Sequence, residues 1–431
     1  MEYKLGNLSN FYDSLHKTPK VYSTSGYPMI RVKDIETGFL NISQTANVSE
    51  LDYLEFTKKY KPTVGDIIIT RVGTYGNVAL VVKDENFCLG QNTVVLNPIR
   101  KTIDNKYLFY ALRGPYVQQQ IESKVTGSTQ KTISLKSLKE IEVKRFDYKK
   151  EMLIGKFLYN IDNKIEINKK IIANLEELSQ TLFKRWFVDF EFPDEDGNPY
   201  KSSGGEMIDS ELGEIPKNWR KTTLGNYIDL DKGLSYKGKF LDKKNEIEES
   251  IPMLSLSNFQ FYSGFKNEKT KYYFGDFKDK HKVKAGDIII AATDLTQDRK
   301  MLGAPALVPN LNENMIYSLD VFKVKESTLP KYVAYFLMQT NKYREFVEGS
   351  ATGTTVLRVS KDIILKVPII IDLNIANEFN EIIKKYMQKI EKLNTENEIL
   401  VDLRDTLLPK LMSGEIEIPD DIEVNTDELS I

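Results

Sequence analysis

The stretch from Lys149 to Glu191 restricts the folds open to this chain more than any other. It holds no proline and one glycine. Ile154, Leu158, Ile161, Ile165, Asn168, Ile172, Leu175, Ser179, Leu182 and Trp186 step alternately four and three residues apart. All but two are apolar, and charge crowds the positions between them. That spacing is a coiled-coil seam rather than a strand or a globular surface helix. At 1.5 Å per residue such a helix spans roughly 60 Å, too long for one small domain to bury. It needs a partner of similar length. The chain supplies one in a second heptad stretch, Leu373 to Met412, which stops at Ser413-Gly414 with the glycine placed as a C-terminal cap.

Carrying the first stripe forward by 225 residues gives Phe379, Ile383, Tyr386, Ile390, Leu393, Asn397, Leu400, Arg404, Leu407 and Leu411. A parallel pairing leaves Asn168 against Leu393 and Asn397 against Ile172, two amides without matched partners. An antiparallel pairing sets Ile154 against Leu411 and Leu158 against Leu407, and Asn168 then meets Asn397. A seam asparagine fixes register at some cost in stability, so this pair is expected to lock the spacing of the helices. The awkward layer is Arg404 opposite Ile161, where the arginine is expected to snorkel its charge outwards.

Around the helices the chain divides into segments. Residues 1–148 hold short β-branched runs between Gly-, Asn- and Thr-containing turns, which reads as a small β-rich lobe. One helix is expected over Lys106–Ser123. Residues 149–191 are the first long helix, and 192–215, rich in Pro, Gly, Ser and acid, are a linker. A second lobe covers 216–372, the second long helix 373–413, and an acidic tail 414–431.

The two lobes repeat each other. Leu5-Gly6-Asn7 recurs as Leu224-Gly225-Asn226, Pro28-Met29 as Pro252-Met253, and Gly65-Asp66-Ile-Ile-Ile as Gly286-Asp287-Ile-Ile-Ile. Lys106-Tyr107 recurs as Lys331-Tyr332, Thr126-Gly127-Ser128-Thr129 as Thr352-Gly353-Thr354-Thr355, and Leu178 with Thr181-Leu182 as Leu403 with Thr406-Leu407. Six matches in one order and near one offset indicate a lobe–helix–lobe–helix duplication. The fold class expected is α+β, with two pseudo-repeated β-rich lobes joined by two long antiparallel coiled-coil helices.

Net charge is −2 over 431 residues, so no argument from a basic protein to nucleic acid is open. By segment the picture changes: 1–148 carries +5 and 216–372 carries +6, while the helices, linker and tail together carry −13. Two basic lobes held by acidic rods suit a polyanion bound at two places. A single cysteine, Cys88, permits no internal disulfide, and the chain has no run of apolar residues long enough to span a membrane; a cytoplasmic setting is expected.

Several motifs together resemble one family. They are Trp219-Arg-Lys-Thr-Thr-Leu-Gly225 opening a lobe, the Gly-Asp-Ile-Ile-Ile strand, a Gly-Ser-Thr-Gln-Lys turn near the lobe's end, and Asn174-Leu-Glu-Glu-Leu running on to Leu182-Phe-Lys-Arg-Trp-Phe-Val-Asp-Phe190 and an acidic Gly-Asn-Pro-Tyr linker. The chain resembles the specificity subunit of a Type I restriction-modification enzyme over nearly its whole length. The first lobe departs from the pattern, starting abruptly at Leu5-Gly6 without a Trp-containing lead-in. The resemblance implies two target recognition domains, each reading half of a bipartite site in double-stranded DNA. It also implies helices that dock two methyltransferase subunits, and a separate restriction subunit for translocation and cleavage. S-adenosylmethionine, ATP and magnesium are then expected on partner subunits, with no cofactor bound by this chain.

The residue chemistry points the same way. His16 and His281, the only histidines, lie in different lobes without Cys neighbours at ligand spacing. Gly233-Leu-Ser-Tyr-Lys-Gly238-Lys239 has the spacing of a phosphate loop, but Phe240 stands where a hydroxyl would meet magnesium. Asn198-Pro199-Tyr200 lacks the second proline of an amino-methyltransferase motif and sits in the linker. Glu142-Val-Lys144 echoes a nuclease motif without an acidic partner at convincing distance. No catalytic or metal residue is assigned.

DNA contacts are therefore expected from polar turns, since bases are read by Arg, Asn and Gln while Lys, Ser, Thr and amides hold phosphates. In the first lobe the candidates are Arg71, Thr74, Tyr75, Gln91, Asn92, Ser128, Gln130 and Lys131. In the second they are Thr293, Thr296, Gln297, Arg299, Lys300, Thr354 and Arg358. Each also reads as a solvated or structural turn. Trp186 and Phe187 are expected at the seam or at a docking surface for the partner subunits. The competing reading is a duplicated protein–protein scaffold without DNA binding, distinguished by the salt dependence that phosphate contacts impose. A self-contained nuclease or methyltransferase ranks below both.

Overall fold

In the computed structural model the described residues are all except Thr129, Leu212, Lys244, Glu268, Lys269, Gln297, Asn312, Glu313, Thr355 and 418–431. Helix and sheet are mixed throughout. The chain divides into two compact units, Met1–Asn168 with Thr395–Ile431, and Lys169–Asn394. The division falls inside both long helices, so each unit takes a share of each.

In the first unit five strands form one sheet. They are β1 (Ser9–Asp13), β2 (Gly38–Phe39), β3 (Ile67–Thr70), β4 (Val78–Leu80) and β5 (Thr93–Pro98), in the order β1-β5-β3-β4-β2. The Ile-Ile-Ile run of β3 is apolar without alternation because both faces are covered. Ile67 and Ile69 join one core while Ile68 joins another with Ile30, Phe87 and Val95. The Asp66 ahead of it is fully buried and closes the corner: its carboxylate accepts from Thr63 N (2.7 Å), the Tyr60 hydroxyl (2.8 Å) and Asn97 Nδ2 (2.7 Å).

The single helix expected over Lys106–Ser123 is two, α1 (Asn105–Arg113) and α2 (Pro115–Lys124). Pro115 has no N–H to give and forces the preceding residue out of helical conformation; Gly114 sits at φ −66°, ψ 150° and ends one helix while opening the next. Asp104 caps α1, accepting from Tyr107 N at 2.8 Å.

The first long helix, α3, runs Tyr148–Phe187, with Asp147 accepting from Lys150 N at 2.9 Å. It ends short of Glu191. Val188 N and Asp189 N both donate to Lys184 O at 2.9 Å, and Phe190 takes φ +60°, which turns the chain away. In the first unit α3 packs antiparallel to the last helix, α6 (Leu373–Ser413): Ile154 and Leu158 share a core with Leu408, Leu411 and Met412, and Asn168 reaches Asn397. Gly414, at φ +77°, follows the last turn of α6.

Arg404 does not snorkel away. Its Nη1 donates to Asp162 Oδ1 at 2.7 Å, one residue past the Ile161 layer. Asp162 Oδ2 accepts from the Tyr110 hydroxyl (2.7 Å) and from Arg113 Nη1 (2.5 Å). One carboxylate thus ties α1, α3 and α6 together. Burial pushes the Asp162 carboxyl up, but the Arg113 charge and the bonds from Arg404, Tyr110 and Arg113 outweigh it and hold the group below its ordinary range.

In the second unit β6 (Ile228–Lys232), β7 (Ile288–Ala291), β9 (Pro305–Leu307) and β10 (Val321–Ser327) form a sheet ordered β6-β10-β7-β9, with β8 (Thr293–Asp294) paired separately to β11 (Leu357–Arg358). The β7 run is again covered on both faces, Ile288 and Ile290 in one core and Ile289 and Ala291 in another. Helices α4 (Lys331–Leu337) and α5 (Asn341–Gly349) pack beside it.

Removing Asp162 strands Arg113, whose side chain is only 8% exposed, and leaves Arg404 with Asp405 as its remaining carboxylate at 2.8 Å. Asp162→Ala is expected to cost about 3–5 kcal/mol in denaturant unfolding. Because its folded pKa is depressed, the wild-type contribution is full above the ordinary carboxylate range, roughly pH 4, and is lost as pH falls through the lowered value. The wild-type and variant stability curves therefore converge in acid.

Candidate nucleic-acid interface

In the first unit three of the turns singled out in the sequence meet at one concavity. The turn after β3, the Gly90–Asn92 corner before β5 and the 126–132 loop enclose a cavity of about 460 Å³ that Thr74, Gln91, Asn92 and Gln130 help to line. The loop geometry is specific. Thr126 and Thr132 pair across it, and Gly127 stands at φ +100°, where a Cβ would lie 2.6 Å from Gln130 O. Only glycine closes that loop. Asn92 holds a left-handed φ of +65°, which asparagine tolerates, and its carbonyl accepts from Arg71 N at 2.9 Å.

The candidates differ in what they have left to offer. Arg71 is committed internally: Nη1 donates to both Asp13 oxygens at 2.9 Å and Nε to Ile133 O at 3.2 Å, with the side chain 13% exposed. Its fork ties β1 to Ile133, just past the 126–132 loop, and is not presented for guanine. Gln91 Oε1, in the orientation its neighbours' donors require, accepts from Lys17 N (2.9 Å) and Thr18 N (3.2 Å), leaving its amino group. Tyr75, Lys131 and Glu122 form a cluster in which the Tyr75 hydroxyl bonds Glu122 and Lys131 Nζ lies 3.0 Å from Glu122 Oε1 and 5.8 Å from the Tyr75 ring. The bond from Tyr75, with that from Lys131, holds the Glu122 carboxyl below its usual range. Thr74, Ser128 and Gln130 are exposed.

Among the cavity residues that escaped the sequence reading, Lys17, Tyr22, Arg31 and Lys33 are the cationic and aromatic ones. Arg31 holds Asp34 through Nε (2.7 Å) and Nη2 (3.0 Å), and its guanidinium lies 5.2 Å from the Tyr22 ring, itself 40% exposed. The signal was present in Arg31-Val-Lys33 directly after the Pro28-Met-Ile strand, a cationic pair bounding a buried run.

In the second unit the 293–301 loop is built on Asp294, which is fully buried. Its carboxylate accepts from Thr296 N (2.6 Å), the Thr296 hydroxyl (2.8 Å) and Met301 N (2.8 Å), so Thr296 shapes the loop. Thr293 is buried and pairs with Arg358 across β8 and β11. Arg299, at φ +56°, donates from Nη1 to Glu348 O at 2.8 Å, and Lys300 lies 2.8 Å from Asp298. Gln297 lies outside the described residues. The late turn repeats the glycine constraint: Gly353 is at φ +103°, with Val356 O 2.2 Å from where a Cβ would stand. Thr354 is exposed, and so is Arg358, whose guanidinium has no partner among the described residues.

Asn168 Nδ2 donates to Asn397 Oδ1 and to Glu396 Oε2, both at 3.0 Å, in a setting where Asn168 is fully buried. Trp186 is 5% exposed, with its ring 5.8 Å from that of Phe379, and Phe187 stacks on Phe183 at 4.8 Å and meets Trp219 at 5.6 Å. Both sit in the second unit's aromatic core, facing their own chain. Of the two histidines, His16 Nε2 lies 3.3 Å from Asp13 in the first unit, and His281 Nδ1 accepts from Lys278 N in the second. Among the described residues no cluster of His, Cys, Asp or Glu has the makings of a metal site, and no helix is long and apolar enough to cross a membrane.

Residues 2–177 match the family described as the Type I restriction modification DNA specificity domain. The chain is 26% identical over 421 residues to the MjaIX Type I restriction enzyme specificity subunit of Methanocaldococcus jannaschii, covering 93% of this chain and 89% of that one. It is 23% identical to the HindI specificity subunit of Haemophilus influenzae, covering 96% and 99%. Among solved structures it resembles the Type I restriction-modification S subunit of M. genitalium, with a TM-score of 0.59 and 16% identity over 95% of each chain.

The geometry separates structural arginine from available arginine. Arg71→Ala is expected to lower unfolding stability by about 1.5–3 kcal/mol, through loss of a charge-assisted pair. Arg358→Ala, at an exposed and unpaired site, is expected to change it by no more than about 0.5 kcal/mol. Urea unfolding of the two variants in parallel reads the difference.

Proposed function

We propose that the chain is a specificity subunit of a Type I restriction-modification system, and that it reads a split DNA sequence through two separate recognition surfaces. The observation that carries the reading is the first unit's cavity. Three turns far apart in sequence bring Thr74, Gln91, Asn92 and Gln130 together beside Lys17 and Lys33. Amide side chains pair with the edge of adenine in the major groove, and lysines hold phosphates. The second unit's counterpart is the 293–301 loop with Arg358, a fork with the reach to engage guanine.

The lobes at 1–148 and 216–372 act as the two readers. The long helices serve as spacer and as the docking site for two methyltransferase subunits, with the Asn168–Asn397 pair setting their register. A restriction subunit joins the same assembly. The chain itself is non-catalytic: its part is to select the sequence and position partners. S-adenosylmethionine, ATP and magnesium belong to those partners, one of which takes the target adenine out of the duplex. The family resemblance supports these roles, and the charge distribution of +5, +6 and −13 agrees with two basic readers on acidic rods.

Modest lobe charge implies that the isolated chain binds DNA weakly and that partners closing round the duplex supply most of the counterion release. The slope of log Kd against log salt, measured with and without the methyltransferase subunits, is expected to steepen when they are present. Equal slopes would assign the electrostatics to the lobes alone. Absence of DNA binding in both states would leave the protein–protein scaffold as the better reading.

A further inference from the structure

We propose that Phe261 and Tyr262 form an aromatic wedge that enters the stacked DNA duplex beside the bases approached by the 293–301 loop. The inference rests on the DNA reading above and assigns to that surface two residues outside every recognition motif in the sequence. Phe259 and Phe265 pair across the base of a tight loop, with Phe259 only 4% exposed in the core. At its tip Phe261 is 56% and Tyr262 48% exposed. Two large rings are thus held out in solvent by a buried aromatic base.

The tip is fixed to the recognition loop. Tyr262 N–H donates to Lys300 O at 2.7 Å, Gly264 N to Pro305 O at 2.9 Å, and the Ser263 hydroxyl to Gln339 at 3.2 Å. Tyr262 stands at φ +73°, a conformation that a bulky side chain rarely adopts, and Arg299 in the apposed loop stands at +56°. Strained residues of this kind persist where the surroundings over-determine them, and they cluster at binding sites. Cations flank the rings: Arg344 lies 4.0 Å from the Tyr262 ring centroid and Lys300 5.9 Å from that of Phe261.

Exposed rings flanked by cations match what a deformed duplex offers. Apolar side chains inserted between base steps unstack and kink DNA, and the neighbouring phosphates then need positive partners. Lys300 is paired with Asp298 at 2.8 Å and Arg344 with Glu348 at 2.6 Å, and the wedge would draw these two cations from their carboxylates to the phosphates beside it. A wedge of this kind favours a pyrimidine–purine step, the easiest to open, and adds specificity without a hydrogen bond to a base.

The test uses the full chain assembled with its methyltransferase subunits and its methylated target duplex, with 2-aminopurine placed in turn at each position of one half-site and then of the other. Besides the rise at the target adenines that the partner subunits extrude, the wild type is expected to raise 2-aminopurine fluorescence at one further step. A Phe261→Ala, Tyr262→Gly double variant is expected to lose that rise and to bind the target about ten-fold or more weakly. Its affinity for unrelated duplex and its salt slope are expected to stay unchanged. Glycine suits the left-handed backbone at 262, so Tyr262→Gly alone is expected to melt within a few degrees of wild type and lose part of the signal, which separates binding from folding. Retention of both signal and affinity in the double variant overturns the wedge. So does a wild type that binds its target specifically with no fluorescence change at any step other than the extruded target adenines. A wild type that binds no DNA rejects the DNA reading itself and the wedge with it.

Discussion

A buried carboxylate that must not be left unpaired organises the first unit. Asp162 lies one position off the mostly apolar seam of a long helix, and it accepts from Tyr110, Arg113 and Arg404 on two further helices. Taking any of these charges out of water is costly unless the partners sit in one geometry. A shift of α6 by one turn, about 5.4 Å, would break the contact with Arg404 and the amide contact of Asn168 together. Hydrophobic layers alone tolerate such slips; polar contacts at two levels, 162 and 168, do not. The turns that line the cavity are carried on the sheet packed against this same helix frame.

The candidate turns show how a scaffold presents polar groups without leaving them loose. Each follows or abuts a strand buried on both faces, so its root is fixed. Each is then closed by an internal device: Arg71 on Asp13 in the first unit, Asp294 on Thr296 and Met301 in the second. Residues that build the loop are spent on it, and their neighbours are the ones displayed. Arg71 and Arg358 have the same chemistry and opposite availability, one bonded to a carboxylate and the other exposed.

Much of the architecture was legible because it rests on periodicity. The alternating four-three stripe located both long helices to within a few residues, and the Gly-Asp-Ile-Ile-Ile runs marked the central strands. What the sequence concealed lies in tertiary geometry. Pro115 splits a run whose apolar pattern continues through it. Phe190 ends α3 by adopting a left-handed φ that no composition rule announces. Arg404 looked like a seam defect because Asp162 is one position off the stripe and Arg113 is 49 residues away in the chain. At the candidate sites, Gly and Thr turns stood out while Tyr22, Lys33, Phe261 and Tyr262 did not, since an exposed aromatic or lysine carries no local signature of its surroundings.

Two independent readers on one chain is the claim on which the functional account depends, and the methylated sequence in a host reports on it directly. Residues 1–148 are replaced by the corresponding segment of another specificity subunit, and the host's methylated motif is sequenced. The account predicts a motif changed in one half and unchanged in the other. A motif altered in both halves, or in neither, would contradict it.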